Sequence, residues 1–305
     1  MKMVSFIIPF LNEQESLPTL LSQIDELMRG LKRPYEAILI DDGSDDKSVS
    51  EVKKLDNKSI VLLEHRQRMG KGRSLADGFS VARGEVIVFM DADLQDDPRD
   101  IPAFLAKIDE GQDLVNGWRR DRNDPINKTL PSSIFNAILL KGLLRSPFHD
   151  VNCGFKAMKR QVLEEIPLYG DNYRFLPIIA HKQGFTVDQV VVTHNPRKYG
   201  VSKYGFFRIF FGFFDTITTY FVSQFAQKPL HFFGPVGGVL GGIGLLITIE
   251  LTIERLVWGV ELYKRPLLLA GIFLVIVGLQ IFLTGIIGEL IVYVDRQRKN
   301  TQRMS

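Results

Sequence analysis

A chain of 305 residues with 45% hydrophobic residues is long enough for one large domain or two ordinary domains. The formal net charge of +3 is too small to indicate nucleic-acid binding. A single cysteine, Cys153, excludes an internal disulfide and is typical of a reducing compartment. Charged and apolar residues alternate up to about Arg208, after which the chain becomes rich in Phe and then almost uncharged. The two parts are therefore expected to lie in different solvents.

Short β-rich runs alternate with helical stretches in the first part of the chain. The predicted strands are 4–10, 37–40, 60–63, 86–90 and 114–116. Between the first two, residues 13–28 place apolar side chains at the spacing of a helix that covers one face of a sheet. This order predicts a parallel α/β sheet, and such sheets bind ligands beyond the carboxyl ends of their strands.

An apolar strand leads into Asp91-Ala92-Asp93-Leu94-Gln95, the strongest chemical signal in the sequence. The strand is expected to present Asp91, Asp93 and Gln95 to solvent on alternate positions. Two carboxylates and an amide oxygen are hard ligands that suit Mg²⁺ or Mn²⁺ together with substrate phosphates. The pattern also permits a phosphatase of the haloacid-dehalogenase type, whose first Asp is a nucleophile. In that class the pair normally ends the first strand, whereas here it ends about the fourth.

Two further segments stand next to predicted strands or helices. Asp41 and Asp42 follow a predicted strand and can turn at Gly43, which would leave their carboxylates free for a ribose or base. The same residues are also ordinary turn formers. Gly70 and Lys71 precede a helical stretch, where backbone N–H groups and one cation can lie near phosphate. The spacing of a Walker loop is absent.

The second part of the chain contains two uncharged stretches, 230–249 and 267–288, each long enough to cross about 30 Å of hydrocarbon as a helix. Two membrane spans are therefore predicted, at about 230–251 and 266–290; a pair of buried core helices is the alternative. The basic tail, 295–305, is expected to be cytoplasmic. Because two spans form a hairpin, the N-terminal domain would be cytoplasmic as well.

Residues 204–229 are crowded with Phe and carry few charges. They are predicted to form one or two amphipathic helices in the membrane interface, with a helix packed in the soluble core as the alternative. The predicted organisation is a cytoplasmic α/β domain at 1–203, interfacial helices at 204–229, a two-helix membrane hairpin at 230–294 and the tail.

Six segments of the chain fall in a familiar order. They are Ile8-Pro9-Phe10-Leu11-Asn12-Glu13, Asp41-Asp42-Gly43-Ser44, Gly70-Lys71-Gly72, Asp91-Ala92-Asp93-Leu94-Gln95, Asp150-Val151-Asn152-Cys153-Gly154-Phe155-Lys156 and Gly200-Val201-Ser202-Lys203-Tyr204. Together they resemble family 2 glycosyltransferases of the polyprenyl-phosphate (dolichyl-phosphate) hexose synthase type, over essentially the whole chain. The resemblance implies a GT-A fold, a C-terminal membrane hairpin and an inverting transfer of a hexose from a nucleotide diphosphate donor to a polyprenyl phosphate.

The resemblance also implies roles for individual residues. Nucleotide contacts would come from Pro9, Leu11, Glu13, Asp41, Asp42, Gly70, Lys71, Asp91 and Ala92. A Mg²⁺ or Mn²⁺ ion would be bound by Asp91, Asp93 and Gln95. The donor diphosphate or acceptor phosphate would be bound by Arg119, Ser133, Arg197 and Lys203. The expected catalytic residues are Asp93, Arg119 and Asp150, where Asp150 could act as a base, bind a sugar hydroxyl or only cap the turn at Gly154.

Several properties stay open. The segment from Cys153 to Lys156 resembles the glucose-type more than the mannose-type branch, which favours UDP-glucose over GDP-mannose as the donor. A processive polysaccharide synthase is the nearest other enzyme, although its Gln-x-x-Arg-Trp signature is absent. An inactive nucleotide-binding membrane scaffold is the alternative from a different class. Relatives of this family are often oligomeric, and the Gly-rich spans permit a homo-oligomer.

Overall fold

The computed structural model describes residues 2–55, 57–120, 147–196, 221, 225, 228–259 and 266–304. Contacts between Cα atoms divide the chain into two units, Met1–Thr219 and Tyr220–Ser305. The first unit contains a sheet with helices, and the second contains two long helices.

Among the described residues, seven strands form one sheet in the order β3-β2-β1-β4-β6-β5-β7. They are β1 (Val4–Phe10), β2 (Tyr35–Asp41), β3 (Ile60–Glu64), β4 (Val86–Phe89), β5 (Leu114–Trp118), β6 (Lys156–Lys159) and β7 (Val187–Val191). The five predicted strands are confirmed. β6 runs antiparallel to its neighbours β4 and β5, whereas the other pairings in the sheet are parallel. The sheet is therefore mostly parallel rather than fully parallel.

Helices cover both faces of the sheet. They are α1 (Leu17–Gly30), α2 (Ser48–Lys53), α3 (Lys71–Val81), α4 (Ile101–Asp109), α5 (Arg160–Glu165) and α6 (Leu176–Lys182). Successive strand residues point to opposite faces, so Phe6 packs in one apolar cluster with α1 and α4, while Ile7 packs in a second cluster with α3 and α6. The first helix begins at Leu17 rather than at the predicted residue 13, because the preceding residues turn against the loop after β2.

The second unit consists of α7 (Leu230–Trp258) and α8 (Pro266–Met304). The stretches Leu230–Trp258 and Pro266–Val294 are long and apolar enough to cross a membrane. Large apolar side chains point outward, with Leu246 68% and Phe273 65% exposed. A helix in the core of a soluble protein buries such side chains, so the exposure favours membrane spans over the alternative of core helices.

Glycines bring α7 and α8 into close contact. A Cβ atom at Gly237 would lie 2.6 Å from the carbonyl oxygen of Gly278, and one at Gly244 would lie 2.6 Å from that of Gly271. These neighbours are backbone atoms, which cannot move aside as a flexible side chain can. The absence of a side chain at Gly237 and Gly244 therefore permits the close approach of the two helices.

The predicted interfacial segment 204–229 lies outside the described residues except at four positions. Two of these, Phe221 and Phe225, contact aromatic rings at the start of α7: the ring centroids are 5.4 Å apart for Phe221 and Phe233, and 5.0 Å apart for Phe225 and Phe232. The interfacial helices themselves stay a prediction.

Candidate active site

The loops that follow β1 and β2 are joined by side-chain hydrogen bonds. Asn12, with a φ of 57°, turns the chain after β1, and its carboxamide oxygen accepts from the Asp45 backbone N–H at 3.0 Å. The Asn12 carboxamide in turn donates to the Asp45 carboxylate. The Ser44 Oγ accepts from Asn12 N at 2.9 Å, and the Ser48 Oγ accepts from Glu13 N at 2.8 Å. The two loops therefore form one connected surface at the carboxyl edge of the sheet.

Asp41 and Asp42 are buried and accept backbone hydrogen bonds. The Asp41 Oδ1 accepts from Ser44 N at 3.0 Å, and the Asp42 Oδ1 accepts from Met69 N at 2.7 Å and from Gly70 N at 3.0 Å. These hydrogen bonds fit the alternative that Asp41 and Asp42 are ordinary turn formers, and their contact with a ribose or base stays a prediction. Asp42 ties β2 to the start of α3, and because a carboxylate accepts up to about four hydrogen bonds, capacity for a ligand remains.

Lys71 begins α3 directly after Gly70, whose φ is 90°. The Lys71 ammonium donates to the Asp91 carboxylate and lies 5.3 Å from the centroid of the Tyr173 ring. Burial disfavours the ammonium, but the charge of Asp91 outweighs burial and raises the pKa of Lys71 above its ordinary value. Burial likewise opposes ionisation of Asp91, but Lys71 lowers the pKa of its carboxyl. Both groups are therefore charged at neutral pH, with the Asp91 side chain 39% exposed.

The segment after β4 turns instead of continuing as a strand. β4 ends at Phe89, Ala92 and Asp93 lie in a turn, and Leu94 has a φ of 58°. A left-handed conformation costs a non-glycine residue about 1 kcal/mol or more. Asp93 is buried, and its Oδ1 accepts from Gln95 N at 3.2 Å. The expectation that Asp91, Asp93 and Gln95 project into solvent on alternate strand positions was therefore wrong.

Asp96 is a buried residue of this segment that was not among the predicted site residues. Burial and the charges of Asp91 and Asp93 raise its pKa to about 7. Its carboxyl directly follows the predicted metal ligands. The sequence Asp-Asp-Pro is also typical of ordinary turns, so it does not by itself distinguish Asp96 as a site residue. The Asp96 carboxyl therefore ionises less readily than an exposed aspartate.

The hard oxygen donors of Asp91, Asp93 and Gln95 fit a divalent cation. Groups of three or more His, Cys, Asp or Glu side chains that could hold a metal do not occur among the described residues. A cation at this turn would therefore need the Gln95 amide oxygen and oxygens from a substrate phosphate, as Mg²⁺ often does.

Arg119 and Asp150 form a bidentate ion pair. The Arg119 Nε lies 2.8 Å from the Asp150 Oδ2, and the Nη2 lies 3.1 Å from the Oδ1. Burial disfavours the guanidinium, but Asp150 outweighs burial and raises the pKa of Arg119. The charge of Arg119 also contributes to the lowered pKa of Asp91, so the two groups lie within electrostatic reach. Arg119 thus places a second positive charge, besides that of Lys71, near residues 91–96, which we call the acidic turn.

The loop that carries Asp150 packs directly against the first ion pair. A Cβ atom on Gly154 would lie 2.9 Å from the Asp91 Oδ2 and 3.2 Å from the Lys71 Nζ. A side chain at this position would require the Asp91 and Lys71 side chains to shift. The pairs Lys71–Asp91 and Arg119–Asp150 therefore border the same stretch of backbone.

The remaining predicted residues divide into two groups. Pro9, Leu11 and Glu13 lie partly exposed at the end of β1, beside the joined loops, and Ala92 is buried in the acidic turn. Ser133, Arg197 and Lys203 lie outside the described residues, so their assignment to phosphate stays a prediction.

Comparison with known proteins identifies the family. The profile described as "Glycosyl transferase family 2" matches residues 5–167. The chain belongs to this family. The glycosyltransferase is 30% identical to the dodecaprenyl-phosphate galacturonate synthase of Rhizobium johnstonii, over 94% of this chain and 87% of the relative. It is 31% identical to the undecaprenyl-phosphate 4-deoxy-4-formamido-L-arabinose transferase of Proteus mirabilis, over 94% of this chain and 88% of the relative. The resemblance to polyprenyl-phosphate sugar synthases is confirmed.

Solved structures show the fold of the glycosyltransferase. Glucosyl-3-phosphoglycerate synthase from Mycobacterium tuberculosis in complex with phosphoglyceric acid aligns with a TM-score of 0.56 at 21% identity, over 73% of this chain and 80% of that chain. A structure of that enzyme with Mn²⁺ and UDP-glucose aligns with a TM-score of 0.51 at 22% identity, over 64% of this chain and 72% of that chain. The predicted GT-A fold is confirmed.

Proposed function

We propose that this glycosyltransferase moves a sugar from a nucleotide diphosphate donor to a polyprenyl phosphate. The observation that carries the proposal is the succession of joined loops, acidic turn and two ion pairs along one edge of the sheet. Both curated relatives are named as transferases or synthases of polyprenyl-phosphate sugars, which supports the acceptor. The two outward-apolar helices of the second unit suit a protein whose acceptor stays in a bilayer.

The donor nucleotide would lie on the loops after β1 and β2. Pro9, Leu11 and Glu13 border it on one side, and Asp42 with the Gly70 backbone borders it on the other. Asp41 would contribute by stabilising the turn after β2, because its Oδ1 already accepts a hydrogen bond from Ser44 N. The hydrogen bonds that join the loops keep this surface in place before the donor arrives, which reduces the ordering needed on binding.

Mg²⁺ or Mn²⁺ would be held by Asp91, Asp93 and Gln95 together with the donor diphosphate. A bound ion of this kind neutralises charge on a departing diphosphate. The structural relative that contains Mn²⁺ with UDP-glucose supports a divalent ion in this fold. The carboxyl groups of Asp91 and Asp93, two positions apart after the end of β4, support it within this chain.

Two phosphorylated substrates repel each other, and the positive charges of Lys71 and Arg119 would offset that repulsion. The Arg119 guanidinium can hold a phosphate by two parallel hydrogen bonds. A phosphate monoester has a second pKa of about 6, so the acceptor is mostly dianionic at neutral pH and needs no strong base. The bidentate contact of Asp150 with Arg119 favours Asp150 as the residue that orients the guanidinium. Catalysis would rest on alignment and on charge stabilisation.

The proposal also covers the identity of the sugar, the orientation of the protein in the membrane and the number of copies in the assembly. The sequence favours UDP-glucose, whereas the two relatives are named for galacturonate and 4-deoxy-4-formamido-L-arabinose. The Lys and Arg bias of the tail favours a cytoplasmic catalytic domain with both termini on that side. A homo-oligomer is compatible with the glycine-rich helices.

A donor panel tests the proposal. Purified full-length protein would be incubated with Mg²⁺ or Mn²⁺, a polyprenyl phosphate and UDP-glucose, GDP-mannose or a nucleotide-linked galacturonate. We expect one donor to yield a lipid-linked sugar, and Asp93→Asn to abolish the product. Metal-dependent nucleotide binding without transfer from any donor would instead favour the inactive scaffold.

A further inference from the structure

Two polar side chains lie buried beneath the loop that carries Asp150. Asn116 of β5 and Lys156 of β6 are directly opposite each other in the antiparallel register. Asn116 is 0% exposed and Lys156 is 1% exposed. A lysine is almost never fully buried unless its charge is compensated, so this pair calls for a physical reason.

Both side chains donate to main-chain carbonyl groups of the same loop. The Asn116 Nδ2 donates to the carbonyl oxygen of Asp150 at 2.5 Å. The Lys156 Nζ donates to that of Val151 at 3.2 Å and also to that of Cys153. Three carbonyl groups between positions 150 and 153 are thus fixed from below by one cross-strand pair.

The fixed segment determines where the site groups stand. The Asp150 side chain, on the same residue as one of these carbonyls, holds Arg119 by two hydrogen bonds. At the other end of the segment, Gly154 packs against Asp91. A shift of the segment would therefore move the Arg119–Asp150 pair relative to the acidic turn.

Packing alone does not account for the lysine. Removing an ammonium from water is unfavourable, and burial lowers the pKa of Lys156 to about 8. A methionine would fill a similar volume without this penalty. The ammonium, however, supplies donors to two carbonyl groups at once, which methionine cannot.

We propose that Asn116 and Lys156 are positioning residues that hold segment 150–153 and thereby aim Arg119 and Asp150 at the reacting groups. The proposal rests on the proposed function in that Arg119 and Asp150 act in sugar transfer. Neither Asn116 nor Lys156 needs to touch a substrate.

The first test compares Lys156→Met with Lys159→Met. Lys159 lies on the same strand and donates to Gly111 O and the Asp113 Oδ1, both at 2.8 Å, away from segment 150–153. We expect Lys156→Met to lower kcat roughly 10- to 100-fold, the loss that a small misalignment produces. The KM for the donor and the affinity for UDP or GDP, whichever the wild type binds, should stay unchanged. Lys159→Met should change none of these.

Hydrogen exchange supplies a readout that does not depend on turnover. Backbone amides in 147–155 should exchange faster in Lys156→Met than in the wild type or in Lys159→Met. If the wild type transfers no sugar, the proposed function fails, while the exchange comparison still decides whether Lys156 holds the segment. Unchanged exchange, or wild-type turnover despite faster exchange, would overturn the positioning role.

Asn116→Asp serves as a second variant in case Lys156→Met does not fold. It keeps the side-chain volume, places a carboxylate opposite the Lys156 ammonium and removes the donor to the Asp150 carbonyl. We expect Asn116→Asp to lower kcat while the nucleotide affinity stays unchanged. Full activity of Asn116→Asp, or loss of nucleotide affinity in parallel with kcat, would contradict the proposal.

Discussion

The sheet unit and the helical hairpin place their large apolar side chains differently, in the interior of the sheet unit and on the surface of the hairpin. In the sheet unit, apolar side chains such as Phe6 and Ile7 are buried, and the buried carboxylate of Asp150 is paired with Arg119. In the hairpin, large apolar side chains such as Phe273 face outward and glycines form the contact between helices. The surface of the sheet unit suits water, and the surface of the hairpin suits hydrocarbon.

The sheet unit carries the candidate active site, and the hairpin carries the candidate membrane spans. In the sheet unit, charges are brought together at one edge and kept there by backbone hydrogen bonds. In the hairpin, association depends on how closely two backbones approach. Substitutions that remove charge should therefore impair turnover in the first unit, and substitutions that add volume or charge should impair assembly in the second.

The largest expected effect follows from removing the Arg119 guanidinium. Arg119→Ala should lower kcat by about 10² to 10³, because an electrostatic contact to developing charge is worth that much in a water-excluded site. Steady-state transfer to polyprenyl phosphate measures the effect. Arg29→Ala is the matched control, since Arg29 pairs with Asp25 on α1 and its side chain is 75% exposed. Equal activity of the two variants would remove Arg119 from the site.

The next effect tests the solvent of the hairpin. Phe273→Asp should impair membrane insertion, because an acidic side chain within a span is unfavourable by about 3 kcal/mol. Val81→Asp introduces the same group at another exposed apolar side chain, on α3 in the sheet unit. The fraction of protein recovered in membranes should fall only for Phe273→Asp. Normal membrane recovery of that variant would show that the outward face of α8 is not in lipid.

A smaller effect is expected at the helix contact. A Cβ atom at Gly278 would meet the backbone of Gly237 and Gly241, whereas Gly242 has no atom within 4 Å. Gly278→Leu should therefore lower the stability of the hairpin by about 1 to 3 kcal/mol, the usual penalty of overpacking. Thermal unfolding in detergent should show a lower Tm for Gly278→Leu than for Gly242→Leu. The reverse order would place the contact on the other face of α7.

The smallest effect is a pH dependence due to Lys156. Burial lowers the pKa of Lys156 to about 8 from its ordinary value of 10.5. Between these values the unfolded chain binds a proton that the folded chain has released, so folding stability rises with pH, by about 1 kcal/mol per pH unit at most. The Tm difference between wild type and Lys156→Met should change in favour of the wild type across this window. A constant difference would show that Lys156 titrates normally.

The sequence predicted what depends on local pattern. Runs of apolar residues predicted the strand 4–10 and the uncharged helices. The acidic residues at the ends of strands predicted the edge of the sheet at which ligands would bind. Features that depend on distant contacts were missed. The turn at Leu94 and the bonds from Met69 and Gly70 to Asp42 arise because separate loops meet.

The short strands β6 and β7 were also missed. Lys156 and Lys159 of β6 interrupt its apolar pattern, and the interruption has a physical cause only once Lys156 is placed opposite Asn116. Asp96 likewise becomes a site residue only through its proximity to Asp91 and Asp93. Residue type and spacing thus indicated a candidate site, whereas the contacts that shape it depend on the folded chain.

The most direct test of the account is the identity of the product formed in a bilayer. Wild-type protein in vesicles would receive a nucleotide sugar, a polyprenyl phosphate and, in competition, a water-soluble phosphate monoester, and the products would be identified by mass spectrometry. We expect the sugar to appear on the polyprenyl phosphate, and we expect Asp93→Asn to form no lipid-linked product. Transfer to the water-soluble phosphate alone, or release of free sugar with no lipid product, would contradict it.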